Sequence, residues 1–159
     1  MFTRDGLRVL HGWTHECLDL AIQHAGSLPA ELFVREIPGF GLPSLRHQLV
    51  HVLSWEAMWV CSLRRAPARA LAPEDHPTIA SVMESKRRTV AATIAYLDGL
   101  AEADLNAELT SLPEDWVGPP RSPAFILLHV VTHAFHHKGQ IAAMFRLLGH
   151  PAPDTDLQR

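Results

Sequence analysis

The amino-acid sequence predicts an all-α protein, a four-helix bundle formed by a single domain over residues 1–159. Three observations predict this fold. Four segments of about 20 to 27 residues carry apolar side chains at helical spacing, proline-rich linkers separate them, and no segment alternates apolar and polar residues as a strand would. Helices of similar length bury their apolar stripes best against one another. Because the linkers are long, we expect at least one long crossover connection.

The first predicted helix extends from Thr3 to about Ala25, with Thr3 as its N-cap. It contains His11 and His15 at HxxxH spacing. Nothing else in the sequence marks this pair as metal ligands, so we interpret both histidines as polar positions on a partly exposed helix. A linker with three prolines and two glycines follows, at residues 28–43.

The second predicted helix runs from Ser44, its N-cap, to about Arg64. His51 lies at the margin of the apolar side of this helix, close in helical angle to Trp55. His47 lies one turn earlier, nearer to solvent. His51 is therefore the histidine of this helix that is best placed to reach a site between helices.

The third predicted helix runs from Thr78 to Leu100, between linkers at residues 66–77 and 102–121. Its basic triplet, residues 86–88, is interpreted as a solvated face. Three adjacent cations are too few to indicate a phosphate-containing partner.

The fourth predicted helix runs from Ser122 to Leu148, with Ser122 as N-cap, Pro123 in the first turn and Gly149 after the end. At about 100° per residue, a row of three imidazoles follows one side of this helix, with a fourth and a glutamine beside it. The row is His129, His133 and His137, and its neighbours are His136 and Gln140.

Two of these imidazoles have the spacing of metal ligands. One helical turn separates the Cα atoms of His133 and His137 by roughly 6 Å, so both rings can converge on one ion. Solvated or core-satisfied histidines would explain the pattern equally well. A metal site in a bundle takes ligands from facing helices, and the second helix offers His51. His47, His129 and His11 are the alternatives for this third ligand.

Composition limits the classes of function. The formal net charge of −3 provides no basic surface, so we expect no nucleic-acid partner. No stretch approaches the roughly 18 apolar residues of a membrane span, and the N-terminus lacks the apolar run of a signal peptide. The chain has only two cysteines, Cys17 and Cys61, without the spacing of a redox or zinc motif. We expect a reduced, cytoplasmic setting.

Two stretches resemble the DinB/YfiT family of metal-dependent proteins. They are SLRHQLVHVLSWEAMW at Ser44–Trp59 and HVVTHAFHHKGQIAAMFRLLGHPAPDTD at His129–Asp156. The most specific part is the motif HxxxHxGQ, formed by His133, His137, Gly139 and Gln140. Lys138 stands where many members of the family have arginine.

The resemblance implies a four-helix bundle in which His51, His133 and His137 hold a divalent transition metal, with zinc or nickel expected first. It also implies a homodimer. Similar proteins include transferases and isomerases that use low-molecular-weight thiols. With three neutral imidazoles the ion keeps its charge and lowers the pKa of a bound water or thiol. We therefore expect a thiol transferase or a hydrolase that acts on a small molecule.

Two further side chains are candidates for a supporting role. Gln140 could orient a ligand or a bound water. Glu56 is the carboxylate nearest in sequence to His51, although it lies about 140° around the helix from it. The alternative function is a non-catalytic, stress- or DNA-damage-linked helical dimer whose metal only joins helices.

Overall fold

The computed structural model describes residues 2–109 and 121–156, and within these ranges the regular structure is entirely helical. Four long helices form a bundle, which confirms the predicted fold class. The α-helices are α1 (Arg4–Gly26), α2 (Ala30–Val34), α3 (Leu45–Leu63), α4 (Ile79–Gly99), α5 (Glu102–Leu105) and α6 (Pro123–Leu147). A 3₁₀ turn at Pro73–Asp75 precedes α4.

Hydroxyl side chains cap all four long helices, as the sequence predicts for Thr3, Ser44 and Ser122. Thr3, Ser44, Thr78 and Ser122 have extended backbones, and each side-chain oxygen accepts a hydrogen bond from a backbone N–H in the first turn. A cap of this kind contributes about 1 kcal/mol because it pairs an N–H group that has no partner within the helix. The caps therefore set where each helix begins.

The linkers contain short helical elements that were not predicted from the sequence. These elements are α2, α5 and the 3₁₀ turn. Phe33 in α2 is 3% exposed and Leu105 in α5 is 1% exposed. Burial of one large apolar side chain contributes about 1.5–3 kcal/mol, enough to hold a single turn that local propensity does not indicate. Residues 110–120 of the expected last linker lie outside the described residues.

The four long helices pack so that α1 contacts α4 and α6, and α3 contacts the same two helices. In this arrangement α1 and α3 face each other across the bundle axis. The chain therefore passes from α1 to the diagonally opposite α3, and α4 and α6 are likewise diagonally opposite, which agrees with the expected crossover. The main core between them includes Leu45, Leu49, Met144 and Phe145, each no more than 1% exposed.

The expectation of a fully solvated basic face on α4 is wrong for one residue. Lys86 is only 7% exposed, and its Nζ lies 2.9 Å from Asp19 Oδ1 on α1. A helical pattern does not show that a carboxylate on the neighbouring helix can pair with this lysine. None of the helices in the described ranges is both long and apolar enough to cross a bilayer.

Candidate functional site

Helices α3 and α6 bring together three imidazoles at one side of the bundle. One ring nitrogen from each of His51, His133 and His137 lies within 4.8 Å of the others. The ring centroids are 5.2 Å apart for His51 and His133, 4.6 Å for His51 and His137, and 4.5 Å for His133 and His137. The structure thus places the three residues together, as three ligands of one ion would be, and their binding of a metal stays a prediction.

Gln48, one turn before His51 on α3, fixes the orientation of His137. Gln48 Nε2 donates to the carbonyl oxygen of Leu42 at 3.0 Å. Because a carbonyl oxygen only accepts, the Gln48 side-chain atom that faces Leu42 must be the amide nitrogen. Gln48 Oε1 therefore faces His137 Nδ1, at 2.6 Å. Because an amide oxygen only accepts, Nδ1 must carry the proton. In the neutral ring the lone pair then lies on Nε2, which is the form a metal ion requires.

Gln140 belongs to the same hydrogen-bond chain. Its Oε1 accepts from Gln48 Nε2 at 2.8 Å, and its Nε2 donates to His136 Nε2 at 2.8 Å. Gln140 and His136 thus support the amide that orients His137. Gln140 was expected near the site, but Gln48 was not. Gln48 is 0% exposed because α3 packs against α6 at this position. The prediction that Gln140 orients a ligand or water stays a prediction.

Burial keeps the three imidazoles uncharged. Desolvation, together with the nearby charges of His137 and His51, lowers the pKa of His133 to about 3. Desolvation and the charge of His51 lower the pKa of His137 to about 4, and desolvation also lowers the pKa of His51. All three rings are therefore neutral at pH 7 and can donate lone pairs to a cation.

An aromatic wall and a cavity border the three imidazoles. The Trp59 ring packs edge-on against His129 and His133, with centroid distances of 4.6 Å and 5.0 Å. Beside His51 lies a cavity of about 270 Å³. Its remaining lining is Leu42, His47, Ser54, Trp55, Met58, Ala70, Leu71 and Pro73. Most of these side chains are apolar, so the histidine cluster adjoins a pocket suited to an apolar group.

His47 and His129, the alternatives for the third ligand, lie at the edges of this region. His47 shares a 2.8 Å hydrogen bond between its Nδ1 and the hydroxyl of Ser44. His129 packs against Trp59. Neither belongs to the group of three converging ring nitrogens.

A second group of ligand-type side chains lies between α1 and α3. His11 Nε2 is 2.7 Å from Glu56 Oε1, and His15 Nε2 is 2.9 Å from Glu56 Oε2. Thr93 on α4 donates to Glu56 Oε1 at 2.6 Å. The two histidines and the glutamate are 3%, 4% and 1% exposed. Their ligand atoms also lie within 4.8 Å of one another, so this group could hold a metal ion.

The second group corrects the interpretation of α1. His11 and His15 were expected on a partly exposed helix, and both are buried. No described contact joins Glu56 to His51, His133 or His137, so Glu56 does not support that cluster directly. The sequence did contain a sign that Glu56 belongs to another group. Glu56 lies about 140° around α3 from His51, so its carboxylate points towards a different helix.

The Glu56 carboxylate is ionised despite its burial. Desolvation alone would raise its pKa, but hydrogen bonds from His11 and His15 and their positive charges outweigh this effect and hold the pKa well below its usual range. A buried carboxylate that accepts several hydrogen bonds stays charged for this reason. The core of the bundle thus contains a fixed negative charge beside two imidazoles.

The chain matches the model of one protein family, and solved structures with a similar fold include the two described below. The model of the DinB family matches residues 10–159. A conserved protein from Enterococcus faecalis has a TM-score of 0.68 at 15% identity, over 89% of this chain and 96% of that one. A DinB family member from Shewanella denitrificans has a TM-score of 0.55 at 17% identity, over 96% of this chain and 86% of that one. No curated protein matches the chain.

Proposed function

This chain belongs to the DinB family, and on that premise we propose that it is a metal-dependent enzyme that transfers a low-molecular-weight thiol to a small electrophile or hydrolyses a small substrate. His51, His133 and His137 would hold a divalent ion, zinc or nickel. Such an ion supplies a positive charge that lowers the pKa of a thiol or a water molecule.

The hydrogen bond from His137 to Gln48 is the observation that carries this proposal. A histidine that binds a metal through one nitrogen almost always donates its other N–H to an oxygen acceptor. Gln48 supplies that acceptor and is itself held by Leu42 and Gln140. A solvated surface histidine would need no such chain of buried amides. The donor set also fits the metal, because neutral imidazole is a preferred ligand of zinc and nickel.

The surroundings of the cluster favour a reaction over a purely structural role. Among the described residues, the group of converging ligand atoms near His51 contains three histidines and no further histidine, cysteine or carboxylate. A structural zinc site is closed by four protein ligands, whereas a catalytic site keeps a position open. The cavity beside His51 would bind the substrate there, and Trp55 and Met58 would hold its apolar part.

Elemental mass spectrometry of the untagged protein tests the proposal. We expect each of the variants His51→Ala, His133→Ala and His137→Ala to lose one equivalent of metal relative to the wild type. His129→Ala is the matched control on the same helix and retains the full content. Unchanged metal content in the three variants would exclude the histidine cluster as the site.

A turnover assay then distinguishes an enzyme from a metal-binding helical dimer. Wild-type protein is offered a panel of cellular thiols with apolar electrophiles, and the loss of free thiol is followed, alongside a panel of esters and amides. We expect turnover that His133→Ala abolishes. Metal bound at the cluster without turnover on either panel would favour the non-catalytic alternative.

A further inference from the structure

We propose that His11, His15 and Glu56 form a second metal site, which binds one divalent transition cation and acts structurally by joining α1 to α3. This site shares no ligand with the cluster around His51. The proposal is therefore independent of the activity proposed above, and either can fail without the other.

The donor set is of the kind that zinc accepts. Two histidines spaced i, i+4 on one helix and a carboxylate from a facing helix give two nitrogens and one oxygen donor, a combination found in zinc sites. The N···O separations of 2.7 Å for His11 and 2.9 Å for His15 run to different oxygens of Glu56, and an ion at about 2.0–2.1 Å from each atom would span either edge at nearly a right angle. Rotation of the carboxylate would turn one oxygen towards both nitrogens. Tetrahedral coordination would require each N···O separation to lengthen by about half an ångström, and small side-chain rotations are enough for this change.

Charge also favours a cation at this position. Glu56 is 1% exposed, and within the described part of the chain its recorded partners are His11, His15 and Thr93, with no lysine or arginine. The two imidazoles offset the carboxylate only while they carry an extra proton, so the buried charge of Glu56 has no permanent counter-ion. Such a charge is costly unless a proton or a metal ion compensates it. A divalent cation bound by the three side chains removes this imbalance.

The ion would be structural because its ligands lie inside the bundle. All three residues are less than 5% exposed, in contrast to the half-buried His133 and the half-buried His51, which lines a cavity. Helices α1 and α3 lie diagonally across the bundle, so an ion between them would connect two elements that otherwise pack mainly against α4 and α6. Thr93 would hold the carboxylate from α4.

The second site should bind more weakly than the first. His15 Nδ1 is buried and has no hydrogen-bond partner among the described residues. A ligating Nε2 places the ring proton on Nδ1, where no acceptor corresponds to Gln48. Loss of such an acceptor typically costs 10–100-fold in metal affinity. We therefore expect two classes of binding in a metal titration, with the weaker class at His11, His15 and Glu56.

The test uses the variant His51→Ala/His133→Ala, which removes two ligands of the first cluster and keeps the His137–Gln48 pair. We expect it to bind one Co²⁺ per chain with visible d–d absorption, and one Zn²⁺ in competition. The added change Glu56→Gln keeps the size of the side chain but removes the anionic donor, and it should abolish this binding. Circular dichroism verifies that both variants are helical.

Three results would overturn the proposal. They are the absence of Co²⁺ and Zn²⁺ binding in the folded double variant, binding that persists with Glu56→Gln, and X-ray absorption that lacks two nitrogen ligands from imidazole. The absorption measurement uses the double variant alone, so it decides the question even where Glu56→Gln prevents folding. Failure of the first site would instead appear in the wild type as metal content unaffected by His133→Ala.

Discussion

Gln48 Oε1 accepts a hydrogen bond from His137 Nδ1 at 2.6 Å, across the contact between α3 and α6. This bond selects the tautomer of His137 before any ligand arrives. It also links the backbone at Leu42 to the histidine cluster through a single amide group. The readiness of the cluster to bind a cation therefore depends on a residue that would not itself contact the ion.

Replacement of Gln48 by leucine should weaken metal binding at His51, His133 and His137 by about 10–100-fold, because His137 loses the acceptor that orients it. The measurement is a competition titration against a chromophoric chelator. Gln48→Glu keeps an oxygen acceptor for His137 Nδ1 but loses the donor to Leu42 and Gln140, so it should restore only part of the affinity. Equal affinities for the wild type and Gln48→Leu would show that the bond does not orient the ligand.

Nickel bound at the cluster should quench tryptophan fluorescence, because an open-shell ion quenches an excited indole nearby. Trp59 lies 5.0 Å from His133 between ring centroids, and Trp55 lies 6.1 Å from His51. We expect Trp59→Phe to lose a large part of the quenching during a Ni²⁺ titration. Trp13→Phe, on the surface of α1, is the control and should retain the quenching over the first equivalent of Ni²⁺, which the tighter cluster around His51 takes up. Quenching that both variants reduce equally would place the ion elsewhere.

The metal-free protein should lose stability as the pH falls from 7 to 5. The pKa values of His133 and His137 in the folded state are about 3 and about 4, whereas an unfolded histidine titrates near 6.5. The unfolded chain therefore binds more protons in this interval, so stability is greatest above pH 6.5 and declines below it. Melting temperatures measured after chelation check this expectation.

The variant His133→Leu isolates the contribution of this histidine to the pH dependence. It should show a smaller difference in melting temperature between pH 7 and pH 5 than the wild type. The interval ends above the pKa of ordinary carboxylates, so acid titration of surface aspartate and glutamate contributes little. An identical pH dependence in the two proteins would contradict the lowered pKa of His133.

Thr93→Val should destabilise the fold by about 1.5–3 kcal/mol, because a hydrogen bond to the buried Glu56 carboxylate disappears while side-chain size is kept. Urea unfolding monitored by circular dichroism measures the change. Thr132→Val is the matched control: its hydroxyl bonds only to the backbone oxygen of His129, on an exposed turn of α6. We expect Thr132→Val to change the free energy of unfolding only slightly. Similar losses of stability in the two variants would argue against a special role of the contact between Thr93 and Glu56.

Local sequence patterns predicted the four long helices, the caps Thr3, Ser44 and Ser122, and the shared helix face of His133 and His137. Helix boundaries depend on capping and proline chemistry within a few residues, and HxxxH spacing fixes two imidazoles on one helix without reference to the rest of the fold. These features are encoded within single helices. The margin of the apolar side of α3 favoured His51 as the third imidazole but left His47, His129 and His11 as alternatives, and the resemblance to the family singled out His51.

Gln48 and the group around Glu56 were missed because their roles depend on which helices face each other. A glutamine on an apolar helix side, or a glutamate 140° from a histidine, acquires meaning only when the opposite helix is known. Burial of His11 and His15 likewise follows from the diagonal placement of α1 and α3. The salt bridge between Lys86 and Asp19 is another consequence of helix pairing that periodicity does not reveal.

Helix α3 carries His51 towards α6 and Glu56 towards α1, with four residues between them. Insertion or deletion of one residue in this interval would rotate everything beyond it by about 100°, so that one of the two groups would lose its α3 ligand. The connecting segments elsewhere in the chain can change length without this penalty. Family members that contain both the histidine cluster and the group around Glu56 should therefore have the same spacing between the positions of His51 and Glu56, whereas the lengths of their loops should vary.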